Sequence, residues 1–197
     1  MATEFSMTGI MNAALISQGL EEINESVSLP EHRVLSRNWP LIVEAELEDG
    51  AYHFTKVETT LNTRTDGKFG FDDAYLLPGD ALHVRKARLE ASSGSRWEPE
   101  WVQDDRYVYL DSTDGVIVEY VKVTEPTFWT ANFARGVQMK LEAALLRAVK
   151  EETGEASNME QMAEAQFQRA RTNSSKARKA QEPFRRSRLA DARFGRG

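Results

Sequence analysis

The chain has 197 residues with 25 Lys+Arg against 31 Asp+Glu, a formal charge of −6, and its length suits one domain or a domain with an insert. Its 41% hydrophobic, 9% aromatic and 28% charged residues are a globular composition, which excludes a wholly disordered, collagenous or low-complexity chain. The absence of cysteine excludes disulfide scaffolds, Cys-ligated zinc, iron–sulfur clusters and Cys-nucleophile enzymes. Charge is unevenly spread. Arg169 to Gly197 carries ten basic residues against two acidic ones (Glu182 and Asp191), a charge of +8 that leaves −14 for residues 1–168. An acidic body with a basic terminal arm implies that the arm meets something negative. Glu4 stands where a signal peptide wants Lys or Arg, and no apolar run reaches the roughly 18 residues of a membrane span. The expectation is a protein made in the cytoplasm, with no membrane partner.

The first predicted element is a helix from Met7 to about Gln18. Met7, Ile10, Met11, Ala14 and Leu15 share one face, and Gly19 is a natural stop. A second helix opens at Ser28-Leu29-Pro30-Glu31, with the Ser28 hydroxyl as cap, and runs to Gly50. Pro40 removes a donor within it and is expected to kink the helix or restart it at Asn38. From Tyr52 to Thr124 no helical stripe survives, and β-branched and aromatic residues gather between Pro and Gly. Residues 62–73 and 90–96 read as polar loops. The alternation from Leu82 slips by Ala87, which predicts a bulged strand. Residues 106–110 and 116–123 flank Asp111-Ser112-Thr113-Asp114-Gly115 and predict an antiparallel hairpin.

Helices resume after Pro126, with Thr127 or Thr130 as cap. Phe133, Val137, Leu141, Ala144, Leu145 and Ala148 form a stripe expected to end at Gly154. Ser157-Asn158-Met159-Glu160 predicts a capping box, followed by a helix carrying Met159, Met162, Ala163, Phe167 and Ala170 as far as Gln181. Its second half, from Arg171, is polar nearly all round and is expected to be solvated or packed on a partner. The ordering gives an α+β fold: a bundle of about four helices from residues 1–50 and 125–182, an inserted antiparallel β-rich region over 51–124, and a basic extended C-terminal tail over 183–197.

Chemical motifs are weak throughout. His32, His53 and His83 have no second ligand at helical spacing, Asp111 and Asp114 miss the alternation of a calcium loop, and Asp66-Gly67-Lys68-Phe69-Gly70 lacks the Lys-Ser/Thr of a phosphate loop. Ser92-Ser93-Gly94-Ser95 is not a nucleophile elbow. No metal site, cofactor or catalytic residue is expected. Trp97, Trp101, Tyr107, Tyr109 and Tyr120 could stack bases, but Glu98, Glu100, Asp104 and Asp105 interleave with them and would repel phosphates, which favours a core or a protein interface. Phe184, Leu189 and Phe194 are set among Arg185, Arg186, Arg188, Arg193 and Arg196, and look as much like anchors for a protein groove as a nucleic-acid arm.

At Tyr75-Leu76-Leu77-Pro78-Gly79-Asp80-Ala81-Leu82-His83-Val84-Arg85 the sequence resembles tail tubular protein A, the head-to-tail adaptor family of short-tailed bacteriophages and related prophages. Asn12-Ala13-Ala14-Leu15 with Gly19 and Ile23 is similar to that family's first helix and turn. The pair around Tyr52-His53-Phe54, the Glu119-Tyr120-Val121 strand, Pro126, Phe128, Phe133 and the Leu141 to Ala148 helix extend the likeness over roughly residues 11–167. The chain departs from the family at Tyr52, where Trp is usual, and after Pro183. The resemblance implies a non-enzymatic virion protein. It would form a homo-oligomeric ring, usually of twelve copies, between the portal protein and the tail nozzle or tube, and DNA would pass through without specific binding. On this reading Phe184, Arg185, Arg186, Arg188, Leu189, Arg193, Phe194 and Arg196 are expected to order by binding the portal. Trp97, Glu98, Glu100, Trp101, Asp104 and Asp105, with the neighbouring hairpin, are expected to meet the tail-side partner. The alternatives are a nucleic-acid-binding accessory protein using the Arg-rich arm and a carbohydrate-active tail enzyme.

Overall fold

A computed structural model describes residues 5–23, 29–50, 52–91 and 93–176. It is an α+β fold in which four helices flank, in sequence, two four-stranded antiparallel sheets. Helix α1, Met7–Ser17, is capped by the Ser6 hydroxyl, which accepts from the Gly9 amide at 3.0 Å, and it buries Ile10, Met11, Ala14 and Leu15. Gly19 takes φ +68° and lets the Leu20 amide turn back to the Leu15 carbonyl at 3.0 Å, as expected of a helix stop.

Helix α2 spans Pro30–Asp49. It begins with Leu29 as a cap without a side-chain bond, Ser28 lying outside the described residues, and it runs unbroken through Pro40. The restart at Asn38 does not occur: that side chain donates to the Val34 carbonyl at 2.8 Å within the continuous helix. Trp39, the neighbour of Pro40, stacks on Trp129 at 5.5 Å between ring centroids and anchors this stretch to the helical core.

The insert contains β1 (Lys56–Leu61), β2 (Arg64–Asp66), β3 (Asp73–Leu76), β4 (Ala81–Glu90), β5 (Arg96–Trp97), β6 (Val102–Asp104), β7 (Tyr107–Leu110) and β8 (Val116–Lys122). One sheet has the order β1-β8-β4-β5 and the other β2-β3-β7-β6. The predicted hairpin is therefore wrong: β7 pairs with β3 and β6, whereas β8 pairs with β1 and β4. The loop between them crosses from one sheet to the other and is captured by Tyr75, whose hydroxyl donates to the Ser112 carbonyl at 2.6 Å and accepts from the Gly115 amide at 3.3 Å. Asp73 also accepts from the Ser112 amide at 3.0 Å. The predicted loop over 62–73 is corrected too, since Arg64–Asp66 forms β2 against β3. Strand β4 carries the expected irregularity, with register shifts between Ala81 and His83 and between Val84 and Lys86. The Val84 amide instead donates to Gln103 Oε1 at 2.7 Å, which ties the two sheets together.

Thr130, not Thr127, caps helix α3 (Ala131–Leu145), its hydroxyl oxygen accepting from the Phe133 amide at 3.4 Å. The helix runs on as a π-turn over Leu146–Lys150, which rotates Ala148 outward and away from the predicted stripe. Glu151, left-handed at φ 59°, makes the reversal assigned to Gly154. Helix α4 then spans Thr153–Lys176. Ser157 is no cap: it lies inside α4 and donates to the Thr153 carbonyl at 3.0 Å. Gln181 and everything beyond Lys176 lie outside the described residues.

Two large cores result among the described residues, with a small third cluster of Ala143, Leu146 and Ala156. Ile10, Leu15, Leu35, Leu47, Phe133, Leu141 and Phe167 belong to the helical core, in which Phe133 meets Tyr52, Phe54, Trp129 and Phe167. Tyr75, Leu77, Val84, Val108, Leu110, Val118 and Tyr120 belong to a core shared by the two sheets. Gly136 permits α3 and α4 to pack closely, since a Cβ there would stand 2.5 Å from Phe167 Cε1.

Candidate functional site

The structure places the predicted tail-partner residues on one ribbon that leaves the first sheet and enters the second. Trp97 ends β5 and is about half exposed, Glu98, Glu100, Asp104 and Asp105 are exposed, and Trp101 is half-buried against the core between the sheets. They form no convergent pocket. Glu98 lies 3.8 Å from Lys86 Nζ and 3.7 Å from Arg88 Nε. Arg88, in the groove of about 340 Å³ beside Trp97, also donates to Glu58 at 2.9 Å and sits 3.9 Å from Glu119, so its charge is already matched. Of the remaining aromatics proposed for an interface, Tyr109 and Tyr120 are buried, and Tyr107 is half-buried. The eight predicted portal-binding residues, Phe184 to Arg196, lie outside the described residues.

One partly buried charge cluster is not evident from the sequence. It joins α4 to α2 at the point where the helices meet the insert. Tyr52, fully buried, donates its hydroxyl to Glu46 Oε1 at 2.5 Å. Arg171 reaches the same oxygen at 2.5 Å, Asp49 at 3.2 Å and Glu164 at 2.9 Å, while its Nε is buried without a partner. Burial raises the Glu46 pKa above the ordinary carboxylate value, against the opposing pull of the Tyr52 hydrogen bond and the Arg171 charge. Burial, then the Glu46 carboxylate, drives the Tyr52 hydroxyl far above its usual range. Burial works against the Arg171 charge, but the charges of Glu46 and its neighbours outweigh it and lift that pKa. One turn on, the Ser174 hydroxyl is buried and lies 3.2 Å from His53 Nδ1. Arg171 and Ser174 are thus built into the fold, whereas Thr172, Asn173, Ser175 and Lys176 are exposed, as expected of a solvated stretch; residues 177–181 lie outside the described residues. Such a network, one guanidinium set against three carboxylates, positions α2, α4 and the start of the insert.

The histidines are dispersed. His32 is buried with Nε2 3.4 Å from the Glu21 carbonyl, and His83 in β4 has its pKa lowered by burial and by Arg85, with Glu48 opposing. Among the described residues no group of three or more His, Asp or Glu side chains is arranged to hold a metal, and no helix is long and apolar enough to cross a membrane. A second feature the sequence did not disclose is Phe69, which is 61% exposed, holds φ 60° and stands edge-on to Tyr109 at 5.2 Å. No protein-family model matches this chain, and a comparison with curated proteins finds no match either.

Proposed function

We propose that this chain is a head-to-tail adaptor of the short-tailed phage type, a virion structural protein without catalytic activity. Copies stand side by side in a ring, of twelve by the resemblance, between the portal and the tail nozzle, and DNA passes through the channel without specific binding. The observation that carries the reading is the pair of independent cores. A helical core and a two-sheet core joined at one junction let each subunit engage lateral neighbours with one module and an axial neighbour with the other. The element order supports the same reading, because the stretch that carries the resemblance forms the end of β3, the Pro78–Asp80 turn and the start of β4 at the centre of the insert. The −14 charge of residues 1–168 leaves a channel few fixed cations with which to retain DNA.

On this reading the basic arm docks on the portal, and the ribbon from Trp97 to Asp105 faces the tail-side component. Negative-stain images of the purified protein, alone and with DNA-free portal, test it. Closed rings seated on the portal, absent when residues 184–197 are deleted, are the expected result. Particles that stay monomeric with portal present refute it. Retention of DNA by that monomer, lost as salt rises and lost with the arm, would establish the nucleic-acid-binding alternative, which the +8 charge of residues 169–197 keeps in view.

A further inference from the structure

The second sheet turns two unlike faces. Tyr75, Val108 and Leu110 point into the core. On the other face the strand register sets Ala74, Tyr109 and Val102 in one row and Leu76, Tyr107 and Asp104 in the next. Leu76 is 42% and Val102 40% exposed, and Phe69 stands over Tyr109 in a left-handed conformation that an aromatic residue adopts only when its surroundings impose it. The charge of the insert is also concentrated here. Residues 62–77 and 100–115, which build this sheet, hold eight acidic and three basic residues, whereas the first sheet and its connections (52–61, 78–99 and 116–124) hold five acidic and six basic.

Beyond Lys176 the chain has 21 more residues, with seven basic side chains, two acidic ones and the apolar Phe184, Leu189 and Phe194. Their charge of +5 equals in size the −5 of the second sheet. The contact of Ser174 with His53 puts the end of α4, where the arm starts, at the root of the insert. Twenty-one residues reach up to about 70 Å when extended. At the root of the insert Glu46, Asp49 and Glu164 are held by Arg171, and in the first sheet Glu58, Glu98 and Glu119 lie against Arg88, while in the second sheet Arg64 takes up Asp73.

We propose that in the free subunit the C-terminal arm, residues 177–197, docks in cis on the outer face of the second sheet. Phe184, Leu189 and Phe194 cover Phe69, Leu76, Tyr107 and Val102, and the arginines lie over Asp104 and the neighbouring acids. Tethering supplies an effective concentration on the order of millimolar, so a weak contact suffices to keep the face covered. A consequence that rests on the adaptor reading is ordered assembly: the portal draws the arm away, and only then is the sheet free for the tail-side partner.

The test is a benzophenone amino acid placed at position 69 of the full-length chain, irradiated as monomer at low salt. The expected product is an intramolecular cross-link to a peptide within residues 178–197. It should fall at least fivefold in 1 M salt and at least fivefold when Phe184→Ser, Leu189→Ser and Phe194→Ser are combined. Cross-links only between copies, only to other parts of the chain, or insensitive to the arm substitutions would overturn the proposal. A second readout is hydrogen exchange. Deleting residues 184–197 should speed exchange in the segments around Leu76 and Tyr107 severalfold, and unchanged rates would count against the latch. The two readings separate cleanly, since a cross-linked monomer that never forms rings keeps the latch and rejects the adaptor, and rings without the cross-link do the reverse.

Discussion

Gly136→Ala decides whether helix propensity or packing governs the α3–α4 contact. On an open helix surface the change stabilises by about 1 kcal/mol, because alanine has the better helix propensity. Here the new Cβ would lie 2.5, 2.7 and 2.9 Å from three atoms of the Phe167 ring, where carbon atoms prefer about 3.5–4.0 Å. The ring must retreat by about 1 Å, yet Phe167 is fully buried and is backed by Phe133 at 5.6 Å between centroids. Overpacking of this kind costs about 1–3 kcal/mol, and the steep overlap with three ring atoms places this case at the upper end, so the net loss should be about 1–2 kcal/mol. For a chain of this size that corresponds to a drop of roughly 3–6 °C in Tm. Urea unfolding of Gly136→Ala, Phe167→Leu and the double variant measures it. In the Phe167→Leu background the alanine should cost about nothing or stabilise, a coupling of about 1 kcal/mol or more. A single Gly136→Ala variant that is more stable than the parent would refute the reasoning.

Three further outcomes follow from the same interior. Arg171→Met strands the Glu46 carboxylate beside a buried tyrosine; since both side chains keep some solvent access, a loss of about 3 kcal/mol by denaturant unfolding is expected, near the low end for broken buried pairs. Glu46 has a raised folded pKa, so the native state holds more protons than the unfolded chain between the ordinary carboxylate pKa and the folded one. Its stabilising contribution is complete below that window and is lost as pH rises through it. The parent-minus-Glu46→Gln stability difference should therefore decline with rising pH above about 4.5, and a difference that grows over that range would contradict the assignment. Tyr75→Phe removes the hydroxyl that bridges Ser112 and Gly115 in the loop between the sheets, and should cost about 1–3 kcal/mol with faster hydrogen exchange at Gly115.

The helices were legible because their signals are local. The stripe of α3 and the stop of α1 at Gly19 depend on residues within a turn or two of one another. Strand partners are not local. Residues 106–110 and 116–123 carry the composition and turn chemistry of a hairpin, but the competition was won by Tyr75, thirty-seven residues from Ser112, whose hydroxyl fixes a crossing between sheets. Gly154 and Ser157 were plausible stop and cap; the π-turn and the left-handed Glu151 moved the reversal upstream of both. Among site residues, Glu164 and Arg171 sit seven apart on one helical face and could have been paired, whereas their meeting with Glu46 required the tertiary fold. Phe69 was hidden among Gly67, Lys68 and Gly70 in what reads as a polar loop. The charge contrast between the two sheets has no meaning until sheet membership is known.

The pairing of β1 with β8 places the first and last strands of the insert side by side, Lys56 opposite Val121 and Leu61 opposite Val116. For folding kinetics the 67 residues from Lys56 to Lys122 would otherwise be a long open loop between α2 and α3, whose closure costs about 3–4 kcal/mol in chain entropy at that length. Once these two strands zip, the loop is closed, and the helices on either side are delivered to one another already in register for the Trp39–Trp129 stack. The sheets would therefore gain protection first, and the helical core would condense across a connection only a few residues long. A pulsed hydrogen-exchange experiment that found α1 and α2 protected ahead of β1, β4 and β8 would reverse that sequence of events.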